Sequence, residues 1–591
     1  MDSELPRHKT KSSSFLDRVR TNEVVTGLTL SIIVGAVAGL GAVGFRWLVS
    51  EVQTLFFSNG ATYLDFMGPY YIILIPAVGG LIVGLLVRFG AREAKGHGVP
   101  EVMEAVTMRG GRIRPRVSII KALASSICIG SGGSVGREGP IVQIGSSFGS
   151  TIGQWLGLSD DWVRTLLACG AAGGISATFN TPIGGVFFAM EVILGRFVTP
   201  KFGYVVISSV VADFVAHIFL GSQPSFGIVS YEMASYWETI SYAMLGVAAA
   251  LAATVFIRVL YKLEDIFDAW HIPEFLKPAI GGLCIGLIGL YSYDLFGVGY
   301  GNVFWVSKMS VDQALLGQIA LPALAILLLL KITATSLTLG SGGSGGIFAP
   351  SLFIGAMLGG ALGSVAHLLF PAYIAPSGAY ALVGMAAVFA GATRAPFTAI
   401  IMLFEMTRNY SIILPLMIAV VISVVISKVL NRETIYTLKL VRRGVDLRQL
   451  NKASPLREVT VEEAMTWDFP TVPPTMLVRD LVVRLRRTGH HGFPVVNEKE
   501  EFVGVVTIAD VEAALTQASP SDLAVRDIVS KSVVVAYPDE YIHDVLVKLG
   551  SRDVGRIPVV DRGNPKHLLG VLRRHDVLTA YSKSITRKPR R

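Results

Sequence analysis

The chain has 591 residues, 62 of them glycine, and only 16% are charged, against about 25% in an ordinary soluble domain. With 52% hydrophobic residues and a mean hydropathy of +0.56, it is not a simple soluble enzyme, a disordered chain or a disulfide-rich secreted module. The net charge of +9 comes without a basic stripe and interleaved aromatics, so no nucleic-acid partner is expected.

The N-terminal stretch MDSELPRHKTKSSSF is polar and lacks the apolar core and cleavage site of a signal peptide. Residues 1–24 read as a cytoplasmic segment carrying Arg7, Lys9 and Lys11. Apolar stretches then recur at residues 25–45, 71–87, 240–260, 279–290, 314–330 and 412–429. Several are long enough to span a bilayer, which takes about 20 apolar residues. Others are short or broken by glycine and proline, which membrane depth tolerates only where protein buries the backbone or a wet cavity receives it. The expectation is an all-α polytopic membrane domain over residues 25–440 with broken helices. Arg18 and Arg20 flank the first span, and Lys428 and Arg432 the last, placing both ends in the cytoplasm with an even number of crossings. Cys128, Cys169 and Cys284 lie in apolar runs without metal spacing and read as packing residues.

The membrane block is internally repeated. Gly130-Ser-Gly-Gly-Ser-Val-Gly-Arg-Glu-Gly-Pro140 returns as Gly340-Ser-Gly-Gly-Ser-Gly-Gly-Ile-Phe-Ala-Pro350, with seven of eleven positions matching at an offset of 210. Ile144-Gly145 and Gly149 recur as Ile354-Gly355 and Gly359. Gly170, Ala172, Pro182 and Glu191 recur as Gly384, Ala386, Pro396 and Glu405 at an offset of 214. The natural reading is a duplicated transport unit, repeat 1 at about 25–220 and repeat 2 at about 235–440, with its site near the midplane. Small-residue packing between helices is the competing explanation. Glycines let successive N–H groups turn toward one point, forming an anion nest, and the helix that follows adds its positive end. Such a site binds an anion without a lysine that would hold it too tightly.

Gly136 and Arg137 stand in the first such turn, and Glu138 follows them. An ionised carboxylate there competes with the anion and a protonated one withdraws, so Glu138 is the candidate gate. An ion pair with Arg137 is its alternative role. Lys121, at the head of an apolar run, either biases the inner pathway positive or snorkels. Gly340-x-Gly342-x-x-Gly345 also fits a dinucleotide fingerprint, but no strand precedes it. An enzyme would need a nucleophile–base set or a metal cluster; neither is evident, so no catalytic residue, metal or resident cofactor is expected.

These motifs resemble the CLC family of chloride channels and chloride/proton exchangers. The resemblance rests on Gly136-Arg-Glu-Gly-Pro140, Gly346-Ile-Phe-Ala-Pro350, Asn180-Thr-Pro182 and Phe404-Glu-Met-Thr-Arg-Asn-Tyr410. It implies a homodimer in the lipid bilayer, one pore per subunit, each built from two inverted repeats. It also implies that the amides of Ile347 and Phe348 and the Tyr436 hydroxyl hold a central chloride, with Glu138 as external gate. The expected location is the plasma (inner) membrane.

Two positions depart from the family pattern. Where it has Gly-Ser-Gly-Ile-Pro, this chain has Gly96-His97-Gly98-Val99-Pro100. Imidazole donates through N–H and gains charge near neutral pH, so His97, with Gly98, is an anion-binding candidate that would alter pH sensitivity or anion preference. The alternative is that only the backbone meets the ion. In many exchangers a second acid relays protons where this chain has Val192, beside Glu191. Valine carries no proton, so a gated chloride channel is expected, with a chloride/proton exchanger as the alternative. Glu191 is expected to cap or pair.

Residues 440–591 are 28% charged against 12% in the preceding 439, marking a soluble tail beyond a linker at 441–460. Phe493-Pro-Val-Val496 and Gly504-Val-Val-Thr-Ile-Ala-Asp510 recur as Ile557-Pro-Val-Val560 and Gly570-Val-Leu-Arg-Arg-His-Asp576. Each unit joins β-rich runs (502–506, 568–572) to helical pieces (478–487, 542–549), an α+β module in tandem. It resembles a pair of CBS domains, at 461–515 and 523–581, followed by a basic tail at 582–591 with Arg587, Lys588, Arg590 and Arg591. Such pairs bind adenine nucleotides (ATP, ADP or AMP) through Thr/Ser-x-x-Asp on ribose. Thr507-x-x-Asp510 fits, whereas Arg573-x-x-Asp576 fits only at the acid. A dimerisation platform is the competing role, and His490-His491 reads as surface. The remoter alternatives are a CBS-regulated cation transporter, which would want converging carboxylates, and a nucleotide-sensing membrane scaffold, which leaves the duplicated turns unexplained.

Overall fold

The computed structural model describes residues 23–63, 65–195, 201–221, 226, 231, 233–298, 310–445, 459–515, 523–530, 533–542, 545, 556–573, 575–577 and 579–580. The basic residues at 7–20, linker residues 446–458, most of the helical piece at 542–549 and the tail at 582–591 lie outside them. The chain divides into two units, Met1–Val445 and Asp446–Arg591.

The first unit is helical. Repeat 1 runs through α1 (Glu23–Gln53), α2 (Tyr71–Phe89), α3 (Val99–Met108), α4 (Arg116–Gly130), α5 (Glu138–Trp155), α6 (Asp160–Phe179), α7 (Pro182–Phe188) and α8 (Phe202–Leu220). Repeat 2 follows with α9 (Glu238–Ala269), α10 (Lys277–Gly289), α11 (Leu321–Gly340), α12 (Phe348–Leu369), α13 (Ser377–Thr393), α14 (Pro396–Thr407), α15 (Ile413–Leu430) and α16 (Thr437–Arg442). Among the described residues seven helical stretches are long and apolar enough to cross a membrane, and further apolar helices are shorter. Large apolar side chains such as Trp47, Leu55, Met244 and Leu329 point outward, an arrangement lipid accepts and water would not.

The repeated glycines do two separate jobs. A Cβ on Gly145 would strike the Gly170 carbonyl and one on Gly170 the Gly145 carbonyl; Gly355 and Gly384 stand the same way. These are close helix crossings, the packing role. Gly132 (φ +99°) and Gly342 (φ +108°) instead make the turns, in backbone that only glycine adopts without strain.

The second unit is α+β. In α17 (Val478–Thr488), Val478, Leu481 and Leu485 are buried at helical spacing. Strands β1 (Gly492–Val496) and β2 (Phe502–Thr507) pair antiparallel, Gly492 opposite Thr507, and α18 (Ile508–Leu515) follows. Strands β3 (Arg556–Val560) and β4 (Leu568–Arg573) repeat the hairpin, Arg556 opposite Arg573. The halves interlock: Ser530 bridges to Val505 of β2, and Thr466 to Val571 of β4. Phe493, Val495 and Val506 fill one core, and Ile557, Val559 and Leu572 the other.

Candidate functional site

The two glycine-rich turns bond to each other. The Gly136 N–H donates to the Gly346 carbonyl at 2.8 Å, and the Gly346 N–H to the Gly136 carbonyl at 2.6 Å. The N–H groups of Ser131, Gly132 and Gly133 fold back on Ile127, Ile129 and Cys128, as those of Ser341, Gly342 and Gly343 do on Leu337, Leu339 and Thr338. The Ser134 N–H donates to Thr338 Oγ1 at 3.1 Å. This corrects the expectation that the turns themselves form the nest, and Gly136 with it. Buried N–H groups must be paired, and here the turns meet across a local twofold and satisfy one another.

What the joint achieves is to bring two helix starts together, α5 at Glu138 and α12 at Phe348. The Glu138 side chain is 1% exposed. Its Oε1 accepts the Phe348 N–H at 2.5 Å and the Ala349 N–H at 3.1 Å. Its Oε2 is buried without a partner. The first turn of α12 thus supplies the anion-holding amides, and a carboxylate from the other repeat sits on them. A Cβ on Gly346 would strike that carboxylate, so glycine is required there. Arg137 is placed differently from expectation: its guanidinium donates to the Thr178 carbonyl at 3.5 Å and lies 5.6 Å from the Phe179 ring centroid. Among the described residues it makes no direct ion pair with Glu138, although its charge still acts on that carboxylate, and its side chain packs against the end of α6.

Ile347 is buried just ahead of α12. Gly98, at φ +80°, opens α3, where a Cβ would meet Gln143 Oε1 and the Gly139 carbonyl. His97 is 4% exposed and its Nδ1 is buried with no hydrogen-bond partner. Its ring centroid lies 6.1 Å from that of Tyr436. Tyr436 is buried and held by its neighbour: the Ile435 N–H donates to Ala392 O at 3.0 Å, and Tyr261 Oη donates to Ile435 O at 2.6 Å. Among the described residues the Tyr436 hydroxyl makes no hydrogen bond, so polar groups of both rings are left for a ligand.

Lys121 does not snorkel. It is fully buried, and Nζ donates to Ala94 O at 3.0 Å and Gly96 O at 2.7 Å. The Gly96 N–H donates to Gly343 O at 3.0 Å, which pins the His97 loop to the second turn. Lys331 was not singled out from sequence. It too is fully buried, donates to Leu295 O and Gly297 O, each at 3.2 Å, and the Gly297 N–H donates to Gly133 O at 3.1 Å. Lys331 follows Lys121 by the same 210 residues that separate the turns, a signal the sequence carried.

Val192 is buried in the π-helical turn Ala189–Leu194. Glu191 caps α14: its Oε2 accepts from Thr398 N at 2.8 Å and Thr398 Oγ1 at 2.7 Å, and Oε1 from Phe397 N at 3.4 Å. Its repeat mate Glu405 caps α7 through Ile183 N at 3.0 Å and Gly184 N at 2.6 Å. Each carboxylate therefore neutralises the positive start of the other repeat's helix.

In the second unit Asp510 Oδ2 accepts from Thr507 N and Oγ1, both at 2.7 Å, and Oδ1 from Ser530 Oγ at 3.1 Å. Asp576 is tied to the Arg573 guanidinium at 2.9 and 3.0 Å and to Thr466 Oγ1 at 3.2 Å. Burial would raise the Asp576 carboxyl, but the Arg573 hydrogen bonds and charge outweigh it and hold the group below the usual aspartate value. His490, expected at the surface, is half-buried with its ring 5.4 Å from Phe493. Among the described residues no His, Cys, Asp or Glu cluster is placed to hold a metal.

A family model described as "Voltage gated chloride channel" matches residues 79–428, and the CBS domain model matches 461–516 and 525–583. The H(+)/Cl(-) exchange transporter ClcA of Salmonella arizonae is 32% identical over 457 residues, 73% of this chain and 93% of that protein. The chloride channel protein CLC-f of Arabidopsis thaliana is 27% identical over 646 residues, 95% of this chain and 81% of that protein. The crystal structure of a slow cyanobacterial Cl-/H+ antiporter superposes with a TM-score of 0.65 at 28% identity, covering 71% of this chain and 97% of that one.

Proposed function

The chain belongs to the voltage-gated chloride channel (CLC) family and carries a C-terminal CBS pair, and from that premise we propose that it exchanges chloride for protons across its membrane. The observation that carries this reading is Glu138 on the Phe348 and Ala349 amides. One site then has two mutually exclusive anionic occupants, and protonation releases the built-in one. Chloride takes the vacated amides, with Ile347, Gly98, His97 and the Tyr436 hydroxyl completing its surroundings. The exchangers among the relatives weigh toward proton coupling. A gated channel is the second reading, favoured by Val192. The deciding experiment is reconstitution of the full chain in liposomes with chloride and proton fluxes recorded together. Exchange predicts a reversal potential that follows the proton gradient; chloride flux without protons leaves the channel reading, and no chloride flux overturns both.

The chain is read as a homodimer with both termini cytoplasmic, in the plasma (inner) membrane. Exposed apolar side chains on α7, α8, α14 and α15 (Ile183, Phe214, Ile218, Phe397, Leu414 and Val425) supply the self-complementary face such a dimer needs. Ile183→Trp together with Leu414→Trp is expected to yield monomers in detergent by light scattering; an unchanged mass would reject this face.

We assign an adenine nucleotide to the first CBS repeat, where among the described residues Asp510 is held only by the Thr507 amide and the Thr507 and Ser530 hydroxyls and keeps its charge uncompensated, and not to the second, where the Arg573 guanidinium neutralises Asp576. Asp510→Ala is expected to weaken ATP or AMP binding to the full-length protein about tenfold by calorimetry, the cost of a charge-assisted hydrogen bond. Equal affinity would remove the role.

A further inference from the structure

The structure assigns a second duty to His97: we propose that it carries the proton between the cytoplasmic side of the membrane unit and Glu138. The proposal rests on the exchange reading and names the route that reading requires. Val192 cannot hold a proton, and Glu191 is fully engaged with Thr398 and Phe397. His97 is buried, its Nδ1 has no hydrogen-bond partner among the described residues, and its ring lies 6.1 Å from that of Tyr436. Its own carbonyl packs against Gly139, the residue after Glu138.

The charges around His97 give the coupling its physical basis. Lys121 reaches it from α4, and Lys439 and Arg443 from the chain end that leads to the tail. The acids beside these cations are already paired: Glu264 of α9 with Lys439, and Glu101 of α3 with Arg443 at 2.7 Å. Among the described residues Lys121 hydrogen-bonds only to carbonyls, and Glu101 acts on it through its charge alone. Imidazolium in such a neighbourhood is favourable only with an anion beside it. Chloride held between His97 and Tyr436 therefore promotes protonation, and by linkage the proton promotes chloride binding by the same factor.

The step balances. A proton from the cytoplasmic solution bonds to the imidazole. That N–H bond then breaks, its electron pair staying on nitrogen, and an O–H bond forms at Glu138 Oε2, the oxygen without a partner. Neutral Glu138 releases the Phe348 and Ala349 amides to chloride.

The test uses the full-length protein in liposomes with paired flux recording. His97→Gln keeps an N–H donor for the anion but does not titrate. Whatever its effect on chloride flux itself, protons moved per chloride are expected to fall at least about tenfold, the loss of a positioned proton carrier. Adding Val192→Glu should restore proton movement without restoring His97. A wild-type proton-to-chloride ratio in His97→Gln would overturn the proposal. So would parallel loss of both fluxes at constant ratio in His97→Gln and His97→Ser, which would confine His97 to the anion. A wild type that moves no protons would instead bring down the exchange reading, and this inference with it.

Discussion

Glu138→Gln is expected to leave chloride transport running while removing most of its pH dependence and the accompanying proton movement. In the wild type the carboxylate and chloride compete for the Phe348 and Ala349 amides. Acid neutralises the competitor, so chloride flux should rise as pH falls. Glutamine has nearly the same shape but no charge and no titrating proton. Its carbonyl still accepts, yet a hydrogen bond to a charged group is worth about 1.5–3 kcal/mol against roughly 1 for a neutral one. Its amide N–H₂ would also face N–H donors if flipped. The side chain should therefore vacate the amides more readily, strengthening chloride binding there by up to roughly tenfold. The measurement is chloride flux across a pH series with proton recording; a pH profile like the wild type's would exclude Glu138 as the gate.

Lys331→Met is expected to impair both stability and chloride affinity, while Lys331→Arg retains much of each. The ammonium is the donor to Leu295 O and Gly297 O, and Gly297 ties that loop to the first glycine-rich turn at Gly133. Removing it strands buried carbonyls, at about 1–3 kcal/mol each. It also removes a positive charge to whose field Asp294 and Glu138 both belong. In an effective dielectric near 20, one charge over about 10 Å is worth on the order of 1–2 kcal/mol, or a severalfold to tenfold change in anion affinity. The checks are a melting curve of the purified protein and the chloride dependence of flux. An unchanged chloride dependence in a well-folded Lys331→Met would leave Lys331 a structural pin alone.

The division of labour among glycines shows where reading the chain succeeds and where it stops. The duplication at an offset of 210 was visible in the sequence, and the two turns it marks are the ones that bond to each other in the structure. The glycine turns were read as the nest, whereas the amides that hold the carboxylate lie two and three residues past Gly346, on Phe348 and Ala349; only the resemblance pointed to Phe348. Nothing in a single strand of text says that Gly136 and Gly346 will satisfy each other, because the partner of a buried N–H is chosen across 210 residues of chain. The capping role of Glu191 was legible as a residue type, but its partner helix was not. Arg137 beside Glu138 suggested a direct pair; instead Arg137 bonds to the Thr178 carbonyl and Glu138 to the α12 amides, and the two interact only through their charges.

Composition, hydropathy and the two repeats alone determined a polytopic helical unit and a tandem α+β tail, because those properties are periodic or local and need no knowledge of what folds against what; the anion-handling class came from the family resemblance of the motifs. The tertiary structure alone decided which amides remain for an anion, that a carboxylate from the opposite repeat occupies them, and that Lys121 and Lys331 are twin pins rather than surface cations. Hydrogen-bond satisfaction in a low-dielectric interior is a global constraint. A buried donor is free or spent only when every neighbour is in place.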